Sequence, residues 1–142
     1  MAHADGALRR LQASSGSLRY AAVLTDDGFA VSTLRAGADA DSGRFASIAS
    51  TLQALGEAAG RELLTAAGST AVLIDTDAGR IAQLRVHGTT LVLAALFAHD
   101  GTADGILTPL RDCATALAAI ARRRDPSDDP TETRSDPNRS AL

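Results

Sequence analysis

Residues 20–31 read Tyr20-Ala21-Ala22-Val23-Leu24-Thr25-Asp26-Asp27-Gly28-Phe29-Ala30-Val31, two apolar runs joined by an acidic pair and a glycine. Asp and Gly tolerate the left-handed backbone that a tight reversal requires, so Asp-Gly between apolar runs signals a β-hairpin. The strands are expected at 18–25 and 29–34. Upstream, Leu8 and Leu11 fall at helical spacing within 4–13, and Ser14-Ser15-Gly16 ends that short helix.

Downstream of the hairpin a small polar loop, 36–42, leads into the longest periodic stretch. From Ser42 or Gly43 to Ala67 the residues Phe45, Ile48, Leu52, Leu55, Ala59, Leu63 and Ala66 recur every three or four positions. That is one apolar stripe on a long helix, with Gly68 as its stop. A second row, Ala49, Gln53, Gly56, Gly60 and Leu64, lies beside it. Each mid-helix glycine costs about 1 kcal/mol relative to alanine. Two glycines four apart therefore point to a close helix–helix contact, with a sister subunit as a candidate partner. The plainer reading is passengers in an Ala/Gly-rich sequence.

Three strands follow in quick succession: 70–76, the turn Asp77-Ala78-Gly79, 80–86, the turn His87-Gly88, and 89–98. Leu91 to Phe97 is continuously apolar, as in a strand covered on both faces, so helices should flank the sheet on both sides. In the strand before it, Gln83 and Arg85 alternate with Ala82, Leu84 and Val86, which reads as one wet face. Thr108-Pro109 resembles a helix cap with proline in the first turn. Ile106, Leu110, Cys113, Leu117 and Ile120 form the stripe of that last helix, and Arg122-Arg123-Arg124 sit where positive charge suits the helix dipole. Residues 125–142 hold most of the prolines with Asp, Ser and Thr, and are expected to be a disordered tail beside a domain spanning 1–124.

With 142 residues the chain has room for one domain with a real core. Its aromatic content is 3%, so that core must be aliphatic and alanine-rich. Net charge is −3, and the one basic cluster is Arg122–Arg124, which argues against nucleic-acid binding. A single cysteine excludes an internal disulfide and a cysteine-rich zinc site. No stretch reaches the roughly 18 apolar residues of a membrane span. The N-terminus has no signal-peptide apolar region, so a cytoplasmic location and no membrane partner are expected.

The order helix, hairpin, long helix, three-strand meander, helix resembles the roadblock/dynein-light-chain family, bacterial type. Residues 8–12 followed by 20–31 look like its opening pattern. Val72-Leu73-Ile74-Asp75-Thr76-Asp77-Ala78-Gly79 looks like its third strand and turn, and Leu91-Val92-Leu93-Ala94-Ala95-Leu96-Phe97 like its central strand. The resemblance covers roughly residues 8–122. It implies an α+β fold, α-β-β-α-β-β-β-α, with a five-stranded antiparallel sheet and helices on both faces. It also implies dimers paired through the third strand, with long helices side by side. The implied dimer interface is Ala49, Gln53, Gly56, Gly60, Leu64, Val72, Leu73 and Ile74. Members similar to this chain partner small Ras-like GTPases or act as adaptors, with no catalysis and no cofactor of their own.

The chemistry-bearing residues point in the same direction. The chain has no lysine, which excludes a standard phosphate-binding loop. His87 and His99 flank the last strand at opposite ends, roughly 30 Å apart and too far to share a metal. Asp26, Asp27, Asp75 and Asp77 are read as turn residues, and Cys113 as a buried inert thiol. Arg44 and Arg61 on the long helix are the candidates for contact with a GTPase, against the plainer reading of solvated arginines. A small-ligand-sensing domain or a GTPase-independent scaffold is the alternative; it needs a pocket, and the Ala- and Gly-rich helices suggest close packing instead.

Overall fold

The structure is a computed structural model that describes residues 2–37, 41–99 and 102–124. The elements run α1 (Ala2–Ser14), β1 (Leu18–Leu24), β2 (Ala30–Arg35), α2 (Ser42–Leu64), β3 (Ala71–Thr76), β4 (Gly79–Arg85), β5 (Val92–Phe97) and α3 (Ala103–Arg124). The five strands form one antiparallel sheet in the order β2-β1-β5-β4-β3. The expected α-β-β-α-β-β-β-α architecture is what the chain adopts. The expected tail lies outside the described residues.

The hairpin at 20–31 forms as its residues require. Gly28 holds φ +89°, and the Thr25 N–H donates to the Phe29 carbonyl at 2.8 Å. The Thr25 hydroxyl donates to Asp27 at 2.6 Å and accepts from the Phe29 N–H at 3.1 Å.

Alternation then sorts side chains between two layers. On one face Leu18, Ala21, Val23, Leu93, Ala95 and Phe97 pack against Leu8 and Leu11 of α1 and Ile106, Leu110 and Leu117 of α3. On the other face Tyr20, Ala22, Leu24, Val92 and Ala94 meet Ala46 and Ala49 of α2. The continuously apolar β5 is thus buried from both sides, as its sequence demands.

Helix boundaries depart from the sequence reading in two places. Helix α2 ends at Leu64 and not at Gly68: Thr65 takes the left-handed conformation (φ 51°), and the Ala66 N–H closes onto the Gly60 carbonyl at 3.0 Å. Threonine is poorly suited to that backbone, which is why the sequence does not mark it as a stop. Helix α3 begins at Ala103, where the Thr102 hydroxyl accepts from the Gly105 N–H at 3.1 Å. Pro109 therefore sits in the second turn, inside the helix and not beside its cap.

Candidate interaction face

Helix α2 crosses its face of the sheet diagonally. Near its start Phe45 stacks edge-on against Tyr20 of β1, with ring centroids 4.8 Å apart, and the Tyr20 hydroxyl donates to Ser42 at 3.2 Å. Near its end Gly60 lies against Thr70, just before β3. The residues pointing at the sheet are Ala46, Ala49, Gln53 and Gly60, all buried. A Cβ placed on Gly56 would stand 2.5 Å from Val72 Cγ2, and one on Gly60 would stand 3.1 Å from Thr70 Oγ1.

This corrects the sequence reading of the helix. The row Ala49, Gln53, Gly56 and Gly60, expected against a sister helix, meets the chain's own sheet. The glycines do mark a close approach, but the approaching element is the edge strand β3 of the same molecule. Beyond Phe45, which packs on Tyr20, the residues of the expected core stripe face outward instead. Ile48 is 53% exposed, Leu55 65% and Leu63 78%, with Leu52 half-buried; Leu64, the last residue of the glycine row, is 79% exposed where the helix ends.

At about 100° per residue the stripe lies roughly a third of a turn from the Gln53 line, on the same side as Gly56. Gly56 is the residue that touches β3, so the stripe and the sheet edge share one side of the molecule. Ile74, Ile81 and Leu96 are cross-strand neighbours in a single row there, each half-buried because α2 has crossed away from them. Val72 is likewise half-buried, while Leu73 is 37% exposed and points to the opposite face. Strand β3 is an edge strand, with β4 as its sheet neighbour.

Beneath α2 runs a polar network that the sequence reading missed. Gln83 Nε2 donates to the Ala49 carbonyl at 2.7 Å and to Gln53 Oε1 at 3.1 Å. Gln53 Nε2 donates to the Thr70 carbonyl at 3.0 Å. Arg85 grips both Glu57 oxygens at 2.8 Å and reaches Asp26 at 2.8 Å and the Thr90 carbonyl at 3.0 Å. The expected wet face of Gln83 and Arg85 is not wet: Gln83 is fully buried and Arg85 is clamped. Gln83 Oε1 is buried with no hydrogen-bond partner among the described residues. The Arg85 hydrogen bonds hold the Glu57 carboxyl below its ordinary range, against the opposing effect of burial, and Glu57 in turn strengthens the charged state of Arg85. The available signal was a match in spacing: Gln53 and Glu57 are one helical turn apart, and Gln83 and Arg85 are two apart in a strand.

The remaining candidates are dispersed. Arg44 and Arg61 are both exposed, at opposite ends of α2 and about 25 Å apart along its axis. His87 and His99 are exposed, and His99 lies 3.2 Å from Asp75. Among the described residues no cluster of His, Cys, Asp or Glu could hold a metal. No described helix is long and apolar enough to cross a membrane. Cys113 is buried in α3, its thiol facing the Ala7 carbonyl, and burial pushes its pKa up to about 11. Close packing does not extend to the end of the sheet: a cavity of about 530 Å³ opens there between the α2–β3 loop, the β4–β5 turn and α3.

A five-stranded antiparallel sheet with one long helix on one face and two helices on the other defines a small class of α+β domains. The chain belongs to the Roadblock/LC7 domain family, which matches residues 4–97. Solved structures agree in fold. The gliding protein MglB from Thermus thermophilus is 18% identical with a TM-score of 0.75, covering 86% of this chain and 90% of that one. An MglB with tetrameric arrangement is 20% identical with a TM-score of 0.74, covering 84% and 88%. A Roadblock/LC7 domain from Streptomyces avermitilis is 21% identical with a TM-score of 0.71, covering 82% and 96%. No curated protein matches the sequence.

Proposed function

We propose that this chain is a non-catalytic homodimeric interaction module, cytoplasmic, that binds and regulates a small Ras-like GTPase by modulating its nucleotide cycle or its location. The observation that carries the reading is the joined apolar surface: the outward stripe of α2, the half-open row Ile74, Ile81 and Leu96, and the unpaired edge of β3. A contiguous apolar surface next to an open strand edge is an aggregation hazard unless another chain covers it. A second copy related by a two-fold axis covers all three parts at once.

In this arrangement the dimer contacts are Ile48, Leu52, Leu55 and Leu63 of α2 together with Leu64, Val72, Leu73 and Ile74. Ala49, Gln53, Gly56 and Gly60 support the helix from beneath. Family membership supports the GTPase partner, since roadblock domains similar to this one pair with small Ras-like GTPases. The MglB with tetrameric arrangement supports self-association. Arg44 and Arg61 lie off the apolar stripe and are left for contact with the partner.

The test has two parts. Light scattering on the full chain should give a dimer at micromolar concentration; a monomer there removes the homodimer. Affinity capture from the source lysate with GDP, or with a non-hydrolysable GTP analogue, should retain a small GTPase under one nucleotide and not the other. Retention of no GTPase under either condition refutes that partnership.

A further inference from the structure

The cavity at the open end of the sheet shares no lining residue with the dimer and partner contacts proposed above. It lies where β3 begins and β4 ends, between the loop after α2 and the outer side of α3. Its volume of about 530 Å³ falls within the range of small-molecule sites. Leu84 and Ala114 give it apolar wall, and four ionisable side chains line it: Glu57, Arg85, His87 and Arg111.

The charges do not balance. Arg85 spends its guanidinium on both Glu57 oxygens, on Asp26 and on the Thr90 carbonyl. Glu57, the only acidic residue in the lining, is spent on Arg85 in return. That wall is neutralised within the protein. Arg111 is exposed on α3 and makes no ion pair or side-chain hydrogen bond among the described residues. His87, in the β4–β5 turn, adds a second basic side chain with an N–H to donate. An unspent guanidinium above an apolar wall recognises an anion that carries an apolar body: the charge-assisted hydrogen bonds hold the anionic head, and burial of the body against Leu84 and Ala114 adds the rest.

We propose that this cavity binds a small organic anion, a carboxylate or phosphate monoester with an apolar group, and that Arg111 is its charged anchor. The site is formed within one chain and stands whether or not the dimer and GTPase readings hold.

Isothermal titration of the full chain with phenyl phosphate and with benzoate tests it, with inorganic phosphate as the bare-anion comparison. Saturable binding of one organic anion per chain is expected. Arg111→Gln should weaken it roughly tenfold or more, the scale of losing a hydrogen bond to a charged group. Arg9→Gln, on an exposed arginine of α1 outside the cavity, should leave it unchanged. No saturable binding of either organic anion overturns the proposal, as does binding that survives Arg111→Gln. Inorganic phosphate binding as tightly as phenyl phosphate would show a simple oxyanion contact and overturn the organic-ligand assignment.

Discussion

Arg85 joins three parts of the chain that are far apart in sequence. Its guanidinium ties the β1–β2 turn through Asp26 and the middle of α2 through Glu57, while its backbone belongs to β4. Because Arg85 lowers the Glu57 pKa below its ordinary 4.5, the folded state favours the ionised carboxylate. Stability from this pair is fully present above the unfolded pKa and is lost as pH falls from about 4.5 through the lowered folded value. Glu57→Gln should therefore shrink the difference in melting temperature between about pH 7 and about pH 3. An unchanged difference would remove Glu57 from the acid response. Cys113 makes a second expectation at this scale. With a thiol pKa pushed up to about 11 and little surface exposed, it should resist iodoacetamide at neutral pH in the native protein and react once the chain is unfolded. Stoichiometric labelling of folded protein would contradict its burial.

Element by element, α2 is where sequence and structure part most instructively. Helical periodicity identifies the helix, and its two faces are each visible as a row of residues. Periodicity measures only which side chains share a face; it carries no information about what that face meets. The larger apolar row reads as the core side because burial of large side chains usually dominates. Here the small-residue row wins, since Gly56 and Gly60 let the helix backbone lie close to Val72 and Thr70, and Gln53 satisfies the Thr70 carbonyl from above. Gly56→Ala tests this. In an open helix the change adds about 1 kcal/mol of stability. Against Val72 Cγ2 it meets a stiff β-branched side chain, and overpacking of this kind costs about 1–3 kcal/mol. The net expectation is destabilisation in urea unfolding, relieved in the Gly56→Ala/Val72→Ala pair, with a coupling of at least about 0.5 kcal/mol. Additive effects would mean that the two residues do not touch.

For the whole molecule the consequence is a long helix that is apolar on both sides, one side spent on its own sheet and the other left facing out. An exposed apolar surface of this extent marks a contact with another molecule. Leu55→Arg places a charge in the middle of that outward stripe, on a side chain already 65% exposed, so the monomer fold should survive. Light scattering should report a monomer, with unchanged helical circular dichroism. A Leu55→Arg variant that remains dimeric would move the interface away from α2. A bulky residue at Gly60 would instead disturb the monomer itself, because Gly60 lies against Thr70 within the fold.

Local chemistry along the chain was enough to determine the elements, their order and the doubly covered central strand. Each follows from turn residues and from the spacing of apolar side chains, both of which act over a few residues. The same local signals placed Cys113 in the apolar stripe of α3, where it is buried. Tertiary structure alone decided which side of α2 meets the sheet, that Gln83 and Arg85 lie under a helix, and that Arg111 and His87 share a cavity. Those outcomes depend on how closely two backbones can approach and on pairing between Glu57 and Arg85, 28 positions apart in the chain. A pattern of hydrophobicity within one element contains neither quantity.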